Sequence, residues 1–106
     1  MPKYLLEVNY TLDGVRGVLA KGGSARREAA QAAAESVGGT LDAIYFAFGK
    51  TDVFAIADIP DNNAAAALAL KISASGGASV RTIVLLTAED VDAAAKMSVQ
   101  YTPPGS

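Results

Sequence analysis

The stretch Phe48-Gly49-Lys50-Thr51-Asp52-Val53-Phe54-Ala55-Ile56, continuing through Ala57, Asp58 and Ile59 to Pro60-Asp61, decides the fold. Apolar, β-favouring residues flank Gly49, and a short glycine-bearing connection between two such runs is the signature of a hairpin. The two strands are placed at residues 40–48 and 52–59. Gly49 is expected to supply the positive φ of a tight turn, and Asp52 to accept backbone N–H groups beside it. Pro60 stops the second strand, and Asn62 or Asn63 is the expected cap of a helix reaching about residue 75. That helix carries Ala65, Leu68, Ala69 and Ile72 on one stripe and ends at Gly76-Gly77.

Upstream, residues 3–10 set Tyr4, Leu6, Val8 and Tyr10 against Leu5, Glu7 and Asn9, the period of a strand. A glycine-punctuated segment at residues 13–19 reads as one irregular helical turn, followed by a loop at Lys21-Gly22-Gly23. Ser24 is placed as the cap of a helix over residues 25–37 whose small residues recur at helical spacing. Downstream, β-branched residues at 79–86 form a last strand. Thr87-Ala88-Glu89-Asp90 then opens a short helix in the manner of a capping box. The order is βαββαβ, an α+β, ferredoxin-like arrangement with an extra C-terminal helix. We expect one domain over residues 1–98 and an extended tail over 99–106, with sheet order 4-1-3-2.

Three of the strands are apolar on both faces: Leu41 and Tyr45 oppose Ile44 and Phe46, Val53 opposes Phe54, and Val84 opposes Ile83. A sheet with both helices on one side needs a polar far side if it meets water. An apolar patch of this extent marks an interface, so the sequence predicts a homo-oligomer, at least a dimer, pairing its sheets. The competing cover is the C-terminal helix and tail folded back over the sheet.

Composition removes most chemistry. The 106 residues hold no histidine and no cysteine, which excludes Ser-His-Asp and Cys-His nucleophiles and ordinary zinc sites. Neither a cofactor nor a metal is implied. A net charge of −2 with interspersed signs carries no electrostatic footprint for nucleic acid or an anionic membrane, so neither partner is expected. The longest uncharged stretches are too short to span a bilayer, and a thiol-free chain suits the reducing cytoplasm.

The polar residues inside apolar strands are the candidate pocket residues. Glu7 and Asn9 share a strand face, Arg81 on the last strand can neighbour Glu7, and Asp52 ends the hairpin. Each is read first as structural, through ion pairs or turn bonds, and second as part of a small-molecule pocket where a carboxylate serves as base. Gly22, Gly23, Ser24 and Arg26 form a generic anion-loop candidate. Pro2, if exposed by removal of Met1, offers a secondary amine at the start of the first strand, where tautomerases of similar size place a base.

Residues 48–56, Ile59-Pro60-Asp61, the alanine-rich helix, and Val80-Arg81-Thr82-Ile83 leading to Thr87-Ala88-Glu89-Asp90 together resemble the GYD domain family. Its name comes from a Gly-x-Tyr-Asp motif in this hairpin. Here Gly49 and Asp52 match, and Thr51 stands where the family has tyrosine. The resemblance implies a dimeric α/β barrel and brings no activity with it. The function expected is therefore an oligomeric module of unknown function that binds a small molecule or acts as an accessory or regulatory protein. The alternatives are a cofactor-free isomerase, tautomerase or monooxygenase using a barrel pocket, and a structural self-assembling unit.

Overall fold

A computed structural model describes residues 1–105; Ser106, the end of the expected tail, lies outside them. The elements are β1 (Lys3–Tyr10), α1 (Leu12–Ser36), β2 (Thr40–Phe46), β3 (Val53–Asp58), α2 (Asn62–Ala74), β4 (Ala78–Leu85) and α3 (Ala88–Ala95). All strand pairs are antiparallel, and the sheet runs β2-β3-β1-β4. This is the ferredoxin-like α+β arrangement and the strand order expected from the sequence, with the sheet open rather than closed.

The alternation of β1 is realised as burial. Tyr4 and Leu6 are buried, as are Val53, Ala55 and Ala57 of β3, and Ala65 and Leu68 of α2 lie over them. Tyr4, almost wholly buried, donates its hydroxyl hydrogen bond to Asn62 Oδ1 at 2.6 Å. Buried phenols need such a partner.

Several boundaries differ from the expectations, each for a visible reason. Residues 12–21 are helical rather than one irregular turn, because Thr11 caps them by accepting the N–H of Gly14. The break expected over 21–23 contracts to Gly22, whose φ of 82° and ψ of 172° are open to glycine and disfavoured for other residues. Ser24 therefore lies inside helical residues, not at a cap. Asp61, not Asn62 or Asn63, caps α2, its carboxylate accepting the Ala64 N–H at 2.8 Å. Gly49 does not take a positive φ; among the described residues Gly22, Gly38, Gly76 and Gly105 do. The connection spans residues 47–52, and at that length the turn closes through Ala47 N–H to Asp52 O at 2.9 Å without a left-handed residue. At α3 the capping box forms as read, with Thr87 and Asp90 exchanging hydrogen bonds of 3.0 Å.

The helix and the described residues of the tail do not fold back over the sheet. Every described residue after Leu85 is exposed, including Leu86, Val91, Met97, Val99 and Tyr101.

Candidate functional site

Two surfaces merit attention, one on each side of the sheet. On the side away from the helices, β1 contributes Leu5, Glu7 and Asn9, whose register partners are Ile83, Arg81 and Ser79 on β4. On the other flank, Ile56 and Phe54 of β3 pair with Leu5 and Glu7 of β1, and with Ala43 and Tyr45 of β2. Cross-strand partners share a face, so Leu5, Phe54, Ile56, Tyr45 and Ile83 form one apolar field. No described residue covers it: Tyr45 is 70% exposed and Ile83 39%.

Polar groups sit within this field. Arg81 Nε lies 3.9 Å from Glu7 Oε2, so the register brings together the pair expected from the sequence, loosely, with the arginine largely in solvent. At the opposite end, Lys3 bridges Asp42 and Asp58, the latter at 3.0 Å. Asp42 sits at the bulge where the β2–β3 register shifts between Leu41 and Ala43. Its bond to Lys3 holds its carboxyl below the usual range, and the bonds to Asp42 first and Asp58 second raise the Lys3 ammonium.

Asn9 and Asp52 are also brought together, and both are engaged by the backbone. Asp52 Oδ2 accepts the Tyr10 N–H at 2.9 Å, while the Asp52 N–H is shared between Val8 O at 3.1 Å and Asn9 Oδ1 at 3.0 Å. The two side chains tie the hairpin connection to the end of β1. Thr51 sits half-buried in that connection.

On the helical side, α1 and α2 pack on the sheet and scarcely on each other. Between them lies a cleft of about 870 Å³, within the usual range for small-molecule sites. Gly14, Gly17 and Lys21 line it from the first segment of α1, and Ala25, Arg26, Ala29 and Ala33 from the second. Leu68, Lys71, Ile72 and Ser75 face it from α2. A smaller apolar recess of about 120 Å³ lies next to the sheet among Leu6, Val8, Ile44, Ala55, Leu68 and Ile72. Tyr10, Arg26, Ala29 and Ala33 line both spaces. Of the expected anion loop, only Arg26 reaches the cleft; Gly22, Gly23 and Ser24 do not line it. Sequence reasoning missed the cleft as a site. Its signal was the run of alanines in both helices, which leaves space once both lie on one sheet.

Among the described residues no three His, Cys, Asp or Glu side chains cluster as a metal site would require. No helix there is long and apolar enough to cross a membrane.

The hairpin with its Asp52 lock, the Pro60-Asp61 helix start and the Thr87 capping box lie in one matched segment: the GYD domain model aligns with residues 4–95. The chain belongs to the GYD domain family. Within this GYD domain Asp52 is hydrogen-bonded to the backbone of β1. No curated protein and no solved structure matches the chain significantly.

Proposed function

We propose that this GYD domain is a self-associating module that pairs with a second copy through the open face of its sheet, making a dimeric α/β barrel. The observation that carries this reading is the uncovered field of Leu5, Phe54, Ile56, Tyr45 and Ile83. Fully burying one such side chain contributes about 1.5–3 kcal/mol. Even halved for residues already partly covered, the sum over two copies is comparable to the roughly 4–15 kcal/mol that association costs. Two-fold pairing uses the same patch twice and closes on itself.

In such a pair Glu7 and Arg81 face the space between the sheets. A polar pair inside an apolar enclosure suits the binding of a small polar molecule, and a chain without thiols suits the cytoplasm. The loose 3.9 Å contact favours the second reading, a cofactor-free isomerase, tautomerase or monooxygenase in which Glu7 is the base. The test of the first reading is Ile83→Lys followed by sedimentation velocity. The wild-type chain is expected to sediment as a dimer and the variant as a monomer with an unchanged far-UV spectrum. A wild-type chain that stays monomeric at every concentration refutes the proposal. Loss of turnover in a Glu7→Gln dimer, in a screen of enolisable and phenolic substrates, would select the enzymatic reading.

A further inference from the structure

The helical cleft is independent of that reading, because it lies on the opposite side of the sheet. On the α1 side much of its lining has little or no side chain: Gly14 and Gly17 on one segment, Ala25, Ala29 and Ala33 on the next. A Cβ added at Gly17 would meet nothing within 4 Å. Small residues there cannot close the gap by rotamer change, and the floor continues into the apolar recess beneath. An apolar space of this size, open to solvent, offers a place for an apolar body.

The charge of the lining is one-sided. Lys21, Arg26 and Lys71 come from three different helical segments, and the lining holds no aspartate or glutamate. This occurs in a chain with more acidic than basic residues, 11 against 9. None of the three cations is paired with a carboxylate among the described residues. Arg26 borders both the open cleft and the recess, so its guanidinium stem lies where an apolar tail would give way to a polar head. The tyrosine ring of Tyr10 borders both as well.

We propose that the cleft between α1 and α2 binds a free amphipathic carboxylate, its apolar tail on the Leu68 and Ile72 floor and its head group held by Arg26 and Lys71, with Lys21 at the rim. Planar, fork-like recognition of carboxylate is what arginine supplies best. A lysine facing it from the other helix adds a second charge.

Titration calorimetry of the full chain with decanoate, below its micellar range, tests the proposal against decanol as the uncharged counterpart. Decanoate is expected to bind at one site per chain and decanol about tenfold more weakly, the scale of two partly exposed charge contacts. Arg26→Gln combined with Lys71→Gln, both on exposed positions, should weaken decanoate about tenfold by the same estimate and leave decanol unchanged. Ala29→Leu, which adds three carbons where the cleft meets the recess from an exposed position, should weaken uptake of both with the far-UV spectrum retained. Equal affinity for the two probes, an unaffected double variant, or absence of decanoate binding overturns the proposal. Binding to phosphatidylglycerol vesicles without uptake of decanoate also overturns it, since the surface would then be reading a membrane.

Discussion

Replacing Gly14 with alanine should destabilise the fold, while the same change three residues on, at Gly17, should stabilise it. In α-helices alanine is favoured over glycine by about 1 kcal/mol, and neither glycine has a positive φ, so propensity alone predicts a gain at both. Gly14 differs in what it touches. A Cβ there would lie 2.0 Å from the carbonyl oxygen of Gly77 and 3.1 Å from Tyr10 Cδ1. Relief requires the α1 start and the α2–β4 loop to separate by more than an ångström. That movement strains the two hydrogen bonds joining them, Thr11 N–H to Gly77 O at 3.0 Å and Thr11 Oγ1 to Gly76 O at 2.8 Å. At about 1 kcal/mol net for each bond, with about 1–3 kcal/mol for overpacking and the propensity gain subtracted, Gly14→Ala should lose about 2–4 kcal/mol. Gly17→Ala should gain up to about 1 kcal/mol. Urea unfolding followed by circular dichroism measures both, at one protein concentration because association would contribute. Equal stability of the two variants would show that the Gly14–Gly77 contact yields freely, and would refute the argument.

The hairpin lock makes an unequal pair of predictions. Asp52→Ala leaves the Tyr10 N–H without its acceptor and should cost about 1–2 kcal/mol, whereas Asn9→Ala should cost less than about 1 kcal/mol, because the Asp52 N–H keeps Val8 O; denaturant melts separate them. Tyr4→Phe removes the hydroxyl from Asn62 in the core and should cost about 1 kcal/mol, read by thermal melting. The Lys3–Asp42 contact sets a pH window. The lowered Asp42 pKa contributes stability present above its unfolded value near 3.8 and lost as pH falls through the folded value. The raised Lys3 pKa contributes stability present below 10.5 and lost as pH rises through its folded value. Lys3→Met should therefore flatten both limbs of a stability–pH curve, and two unchanged limbs would remove the contact from the account.

Much of the fold was legible because it depends on local signals. Strand alternation in residues 3–10, the stop at Pro60 and the reciprocal Thr87–Asp90 cap each act within a few residues and need no distant partner. The Glu7–Arg81 neighbourhood was legible too, since strand order fixes register once the split βαβ is recognised. The site was legible only in pieces. Asn9 could be named as a polar residue in an apolar strand, Asp52 as a turn residue and Arg26 as part of a generic anion loop, but their tasks depend on the neighbours that folding supplies. Asp52 is turned to the Tyr10 N–H, and Arg26 to a cleft shared with α2, a helix more than thirty residues away in the chain.

What the sequence determined by itself was the element order, the sheet order and the class of chemistry excluded by the lack of imidazole and thiol. Those follow from side-chain periodicity and from the inventory of reactive groups, which survive in any conformation. Only the tertiary structure decided that the break in α1 is a single residue, that the C-terminal helix leaves the sheet uncovered, and that the alanine-lined helices stand apart over an apolar floor. The last two depend on how far one element lies from another, a distance set by packing volumes across the whole chain and written in no local stretch of it.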